Sequence, residues 1–556
     1  MKVVIVGGVA GGASAAARAR RLDEDAEIVV LERGPDVSFA NCGLPYYVGG
    51  EIARREKLLV TTPQLLRERF RLDVRTRSNV ESIDRQAKTV RVKDLDTGRD
   101  YVEGYDALIL APGAAPLRPP IPGVDLPQVL TLRNLDDVDR IKARVDAGAK
   151  RVVVVGAGFI GLELAENFVK RGVETTIVEL QSQVLPPLDP EMTVPIVEAL
   201  VARGVRVMLG DSAAAFFEDA GAVVATLKSG GTVAADLVIL GVGVRPESGL
   251  AVAAGLDVGP RGGIRVSPAM QTSDSSIWAV GDAVEIHDVV TKAATQVPLA
   301  GPANRQGRIA AEAILRPNAA RPSRYRGTQG TAIVAVFDRV AAITGASEKV
   351  LGRANVPYRK VYVHPADHAG YYPGAEPMTL KLLFAPQSGV ILGAQAVGGR
   401  GVDKRIDVIA VAIQAGMTVF DLEEMELCYA PQFGSAKDPV NMAGFVAAGL
   451  LRGDHPQADM EVALDGPPDD RTLVLDVRTP REFAEGHLPS AVNIPVDELR
   501  ARCGELPRDG RILAYCQVGM RGYLATRILL QKGFDVANLG GGYKTSMLLR
   551  AARGPG

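Results

Sequence analysis

The hexapeptide Gly156-Ala157-Gly158-Phe159-Ile160-Gly161 limits what this chain can fold into more than any other feature. The run Arg151–Val155 before it reads as a buried strand. The stretch after it reads as a helix through Val169, and Thr175–Val178 as a second strand ended by Glu179. Strand, glycine turn, helix and strand make a βαβ unit whose turn lets a pyrophosphate approach the helix N-terminus. An acid at the end of the second strand accepts from ribose hydroxyls and favours a free 2′-hydroxyl, so NADH is expected over NADPH.

The N-terminus carries an imperfect copy. Val3–Val6 reads as a strand, Gly7, Gly8, Gly11 and Gly12 as its turn, and Ala13–Leu22 as a helix of small residues and arginines. Ile28–Leu31 follows as a strand, ending at Glu32 and Arg33, and Val9 stands where the middle glycine belongs. Further on, Ala111-Pro112-Gly113 follows the strand Ala107–Leu110, Gly241-Val242-Gly243 follows Leu237–Leu240, and Gly281-Asp282 closes the strand at Ile277. With 60 Gly and only 5% aromatics, the composition suits an α/β protein with many tight βα turns.

This order of motifs resembles the pyridine-nucleotide disulfide oxidoreductases, over Met1 to about Phe445. The resemblance implies that the first unit holds FAD, through Gly7, Gly8, Gly11, Gly12, Glu32, Arg33, Ala111, Gly113, Gly281 and Asp282, with Asp282 on the ribityl chain. It implies that Gly156, Gly158, Gly161 and Glu179 hold NADH or NADPH. The expected organisation is two nested dinucleotide-binding domains, FAD over 1–112 and 245–322 and NAD(P)H over 113–244, followed by an α+β dimerisation domain over 323–445.

Cys42 lies in the Gly- and Pro-bounded loop Ser38-Phe39-Ala40-Asn41-Cys42-Gly43-Leu44-Pro45-Tyr46, ahead of a short helix whose N–H groups would stabilise a thiolate. Tyr47 and Val37 occupy the positions where a partner cysteine would stand, so Cys42 cannot close an internal disulfide. It must work through a mixed disulfide, a persulfide or a sulfenic acid. The segment resembles coenzyme A-disulfide reductases, in which the lone Cys rests as a mixed disulfide with CoA. That resemblance implies CoA contacts from Ser14, Arg18, Arg21, Ser38, Asn41, Asn304 and Lys437. Arg18 and Arg21 share a helix face, and guanidinium forks suit phosphates.

The acid–base His–Glu pair of two-Cys reductases is missing, since His364-Pro365-Ala366-Asp367 departs from its motif. His368-Ala369-Gly370-Tyr371-Tyr372-Pro373-Gly374 and Tyr429-Ala430-Pro431-Gln432-Phe433-Gly434-Ser435-Ala436-Lys437 again resemble the CoA-disulfide reductases. There one tyrosine from each segment reaches the partner subunit's Cys–CoA pair, which assigns the roles to Tyr371 and Tyr429, with Tyr372 as the alternative to Tyr371. A tyrosine hydroxyl can donate to a leaving thiolate.

After Phe445 the composition turns polar and rich in turn residues, so 446–468 is expected to be a linker. Beyond it, Asp476-Val477-Arg478, Gly486-His487-Leu488-Pro489-Ser490-Ala491 and Cys516-Gln517-Val518-Gly519-Met520-Arg521 resemble rhodanese domains, over 469–556. A Cys between a strand end and a helix sits in a cradle of loop N–H groups, which favours a persulfide anion, and Arg521 adds a fixed positive charge. His487 is read as structural, Cys503 as incidental and Cys428 as a small packing residue; no Cys/His spacing suggests a metal.

Net charge is −1, from 64 basic and 65 acidic side chains, which argues against a nucleic-acid or membrane-surface partner. The absence of a long apolar run or a signal-like start makes the cytoplasm the expected setting, and four Cys exclude a disulfide scaffold. The expected function is NAD(P)H- and FAD-dependent reduction of CoA disulfide, CoA persulfide or polysulfide by a homodimer, through a Cys42–CoA mixed disulfide, with Cys516 handling sulfane sulfur. Two alternatives stand beside it. One is an NADH oxidase or peroxidase using Cys42 sulfenic acid, against which Ala10 counts because related peroxide-using enzymes carry a His there. The other is a sulfur relay that delivers to a partner protein.

Overall fold

The computed structural model describes residues 1–554, which divide into two compact units. The first comprises residues 1–182 and 203–328. It contains the same architecture twice. One parallel five-stranded sheet runs in the order Ile277–Ala279, Ala107–Leu110, Lys2–Val6, Glu27–Leu31, Asp73–Arg75. The other runs Val129–Leu130, Leu237–Leu240, Arg151–Val155, Glu174–Glu179, Arg206–Leu209. Each sheet has its own three-stranded antiparallel meander, Ser78–Asp84 to Asp100–Gly104 in one and Ala213–Asp219 to Thr232–Ala235 in the other. The central strands are continuous runs of Val, Ile and Leu buried on both faces, as strands of a covered parallel sheet must be.

The registers match as well. Lys2 pairs with Glu27 and Arg151 with Glu174, so both second strands end level with the glycine turn. A two-stranded antiparallel ribbon, Ala114–Pro116 with Val244–Pro246, carries the chain out of and back into the first sheet's part of the unit.

The second unit comprises residues 183–202 and 329–556. The helix Pro190–Ala202, expected to belong with the NAD(P)H-binding segment 113–244, groups instead with this unit. Its antiparallel sheet has the order Ala332–Val336, Arg339–Gly345, Ile391–Gly398, Met378–Phe384, Arg359–Val363. Every residue of Met378–Phe384 is buried, including Lys381. A second, parallel sheet runs Gln457–Ala458, Asp535–Leu539, Arg511–Tyr515, Thr472–Asp476, Val492–Asn493, with an apolar core on each face.

Residues 446–468 are not a linker. The helix Pro439–Arg452 runs through the first part, Gln457–Ala458 pairs with Asn538 and Leu539, and Met460 and Ala463 are buried in the core of the C-terminal sheet. Polar composition misled because this segment adds an edge strand through its backbone, which needs no apolar side chains. Among the described residues, no helix is long and apolar enough to cross a membrane.

Candidate active site

The two glycine turns are built alike, and the reason is steric. Gly7 (φ +98°) and Gly156 (φ +104°) lie in the left-handed region, and a Cβ would come within 2.1 Å of the Ala111 carbonyl oxygen at the first and 2.4 Å of the Gly241 oxygen at the second. Each turn is fastened by the acid at the end of the neighbouring strand. Glu32 accepts from Gly8 N–H (2.7 Å) and Gly34 N–H (2.7 Å). Glu179 accepts from Ala157 N–H (2.6 Å) and Gln181 N–H (2.8 Å). One bond to each oxygen leaves further lone pairs for ribose hydroxyls.

The helices that follow, Ala10–Leu22 and Phe159–Lys170, have no side-chain cap and no acid in their first turn, so their N-terminal N–H groups are free of an internal anion. A Cβ at Gly158 would meet open space. Uncapped N-termini, open glycine turns and a strand-end acid fit a dinucleotide pyrophosphate and ribose at both places. Asp282 heads the short turn Gly281–Ala283, and burial pushes its carboxyl above the usual range, against Arg133. A half-buried carboxyl at that strand end fits a hydroxyl-bearing chain such as ribityl. Arg33 and Arg133 both pair with Glu247, at 3.2 and 2.5 Å. Ala111 N–H bonds to the Val6 carbonyl, and Gly113 (φ +75°) turns the chain toward the ribbon.

Cys42 is exposed, in the turn Asn41–Gly43 that leads into the six-residue helix Leu44–Gly49. The expected thiolate-stabilising field is outweighed. Burial around the sulfur pushes the thiol up, and Glu163 and Asp282 push the same way against one backbone hydrogen bond. Glu163, from the helix Phe159–Lys170, was not legible as a site residue. Burial raises its own carboxyl, and Tyr46 Oη donates to it at 3.1 Å. Its one sequence signal is an acid two positions beyond the motif's last glycine in an otherwise apolar turn.

The residues assigned to CoA fall into two groups. In the first unit, Ser14, Arg18 and Arg21 lie at helical spacing, Ser14 Oγ bonds to Asn304, Arg18 pairs with Glu312 (3.2 Å), and Arg21 is exposed. Ser38, at φ +49°, packs its backbone between Gly8 and Val60, and Asn41 Nδ2 donates to the Arg133 carbonyl at 3.2 Å. Lys437, Tyr371 and Tyr429 belong to the second unit, and all three are exposed. The two tyrosine hydroxyls meet at 2.7 Å, whereas Tyr372 packs edge-on to His368. The hydroxyl pair thus joins Tyr371, not Tyr372, to Tyr429.

Cys516 is buried at the end of Arg511–Tyr515, with Gly519 N–H 3.2 Å from its sulfur. Tyr543 and Lys544, opening the helix Gly542–Arg553, donate backbone N–H to the carbonyls of Cys516 and Gln517. Arg521 is not a free charge: it donates to both oxygens of Glu482, at 2.8 and 2.6 Å, and the pair holds the Glu482 carboxyl down to about 2. His487 stacks on Phe483 and donates to its carbonyl, a structural role. Cys503 points at the Arg500 carbonyl, and Cys428 is exposed rather than packed, because its loop carries it to the surface beside Tyr429. Asp189, Glu191 and Glu348 form a carboxylate trio of the kind that holds a cation, and the Lys381 ammonium fills it.

Two dinucleotide-binding sheets with a lone thiol beside the first, and a second thiol in a strand–loop–helix cradle, define a flavin- and nicotinamide-dependent oxidoreductase joined to a sulfur-carrying domain. The chain belongs to the pyridine nucleotide-disulphide oxidoreductase family, whose pattern matches residues 1–307. The dimerisation domain of that family matches 331–439, and a rhodanese-like domain matches 459–545. The chain is 35% identical over 450 residues to the coenzyme A disulfide reductase of Staphylococcus haemolyticus, covering 81% of this chain and 100% of that protein. It is similar to the crystal structure of reduced Bacillus anthracis CoADR-RHD, at TM-score 0.95 and 47% identity over 99% of this chain and 98% of that one. It is also similar to a NAD-dependent persulfide reductase from A. fulgidus, at TM-score 0.90 and 38% identity over 98% of this chain and 100% of that one.

Proposed function

We propose that this chain is an NADH-dependent, FAD-containing reductase of CoA disulfide and CoA persulfide that works as a homodimer through a Cys42–CoA mixed disulfide. The observation that carries the reading is a single Cys42 beside the first dinucleotide turn, without a partner cysteine, in a chain that also carries Cys516 in a rhodanese loop. FAD is assigned to 1–112 and 245–322, NADH to 113–244, the dimer contact to 323–445, and the sulfurtransferase part to 469–556 with the edge strand Gln457–Ala458 added.

FAD, when bound, supplies the relay of two electrons from NADH to the thiol. The rest is done by side chains. Cys42 thiolate attacks the inner sulfur of CoA persulfide; a Cys42–CoA disulfide forms and hydrosulfide leaves. Two electrons then split that disulfide into Cys42 thiolate and CoA thiol. Arg18, Arg21 and Lys437 hold the phosphates of CoA. The Tyr371–Tyr429 hydroxyl pair, contributed by the other subunit, donates a hydrogen bond to the departing thiolate. Cys516 receives sulfane sulfur. The match to a CoA disulfide reductase over its full length supports CoA as the thiol.

Steady-state NADH oxidation tests this. Cys42→Ser is expected to abolish turnover with CoA disulfide and CoA persulfide while FAD stays bound, because no flavin contact is assigned to the thiol. Retained disulfide reduction would reject the mechanism.

A further inference from the structure

The two arginines around Cys516 are already matched by carboxylates. Arg521 is held in a two-pronged pair by Glu482, which is itself locked in a capping box with Thr479. Arg478 is 2% exposed; it donates to both oxygens of Asp476, to Gln517 Oε1 (3.0 Å) and to the Gly486 carbonyl (2.6 Å), and it lies 4.2 Å from the Tyr543 ring centroid. Burial and the nearby Arg339 push the Lys544 pKa down. What the loop shows to solvent is apolar. Val518 is 40% exposed, Met520 57% and Leu524 46%, the last two one helical turn apart on the same face.

We propose that Val518 and Met520, with Glu482 neutralising Arg521, make the Cys516 loop selective for sulfane sulfur carried on an uncharged organic arm and against small dianionic donors such as thiosulfate. This deepens the proposed function and rests on its reading of Cys516 as a sulfur acceptor. A dianion entering the loop gives up hydration and meets alkyl and thioether groups, with no uncompensated arginine beside the sulfur to replace its water. An organic persulfide whose sulfur ends an uncharged chain buries carbon on Val518, Met520 and Leu524 and presents only its terminal sulfur to the Gly519 N–H. In the transfer, Cys516 thiolate attacks the terminal sulfur of R–S–SH. A new S–S bond forms to Cys516, the donor's S–S bond breaks with its electron pair on the inner sulfur, and R–S⁻ leaves to take a proton from water. With thiosulfate the same attack would release sulfite. Neither step needs an added oxidant or reductant.

The full-length protein, reduced and freed of reductant, is mixed with CoA persulfide or with thiosulfate at equal concentration. Addition of one sulfur to the Cys516 peptide is followed against time by mass spectrometry. CoA persulfide is expected to load Cys516 at least about tenfold faster, the scale on which a single uncompensated charge discriminates between ligands. Val518→Lys, an exposed change whose fold is checked by circular dichroism, is expected to raise the thiosulfate rate and narrow that ratio. Loading by thiosulfate as fast as by CoA persulfide would overturn the selectivity while leaving Cys516 an acceptor. No sulfur on Cys516 from either donor would overturn both. An unchanged ratio in Val518→Lys would remove the role assigned to that residue.

Discussion

The surroundings of the Cys42 sulfur push its pKa up: burial first, then the carboxylates of Glu163 and Asp282. Glu163→Gln removes one of those charges, so the pH midpoint for alkylation of reduced Cys42 should fall below that of the wild type; an unchanged midpoint would contradict the electrostatic coupling. At the second glycine turn, to which NADH is assigned by the proposal above, Glu179 is followed by Leu180, which is 58% exposed and brings no cation for a 2′-phosphate. The double change Glu179→Ala, Leu180→Arg is therefore expected to raise kcat/KM for NADPH relative to NADH, and a ratio that stays put would separate Glu179 from the ribose. The turns that carry Cys42, Asp282 and both strand-end acids were legible in the sequence because each is a contiguous motif. Glu163 was not, because its effect on Cys42 comes from the second dinucleotide turn acting on a loop more than a hundred positions earlier, and no local spacing encodes that approach.

Among elements, the strand Met378–Phe384 carries the least expected residue. Lys381 is fully buried, with its ammonium 2.7 Å from Asp189 and 2.5 Å from Glu191 and also paired to Glu348. Burial opposes its charge, and Tyr362, Glu191, Asp189 and Glu348 outweigh it, so its pKa stands above the ordinary value while Glu348 is held down to about 2. Lys381→Met leaves the carboxylates uncompensated and should cost about 3–5 kcal/mol in denaturant unfolding of this unit. Adding Asp189→Asn and Glu191→Gln should recover part of that loss, and no recovery would mean that packing rather than charge is at stake. The glycine-turn elements were legible because steric need writes itself into local sequence. This network was not, because its members come from two helices, two strands and a turn far apart in the chain.

His364 ties the antiparallel sheet of the second unit to its C-terminal helix, its ring nitrogens 3.0 Å from Thr379 Oγ1 in the strand Met378–Phe384 and 2.9 Å from Thr545 Oγ1 in the helix Gly542–Arg553. Burial, with Lys544 adding to it, pushes the imidazole pKa down to about 3, so the folded state holds it neutral while the unfolded chain protonates it at its ordinary value. Its contribution to stability is thus full above about pH 6.5 and is lost as pH falls toward 3, at about 1.4 kcal/mol per pH unit for one proton. His364→Gln should flatten the acid side of the stability profile of this unit by that slope, and an unaltered slope would show that His364 is not the group responsible.

At the scale of the whole molecule, the order of domains was readable from motifs alone, whereas the supposed linker was not. An edge strand such as Gln457–Ala458 is held by backbone pairing to Asn538 and Leu539, which side-chain composition does not report. The crossed site predicts complementation. Inactive Cys42→Ser subunits mixed with inactive Tyr429→Phe subunits should regain part of the activity in heterodimers, and no recovery after proven subunit exchange would argue for sites made within one chain. The central claim, that Cys42 works through CoA, is tested most directly by mass spectrometry of the protein as isolated, denatured with and without reductant. The account predicts one CoA attached at the Cys42 peptide and released by reductant; a peptide carrying only a free thiol or a sulfur oxyacid, in protein that still oxidises NADH, would contradict it.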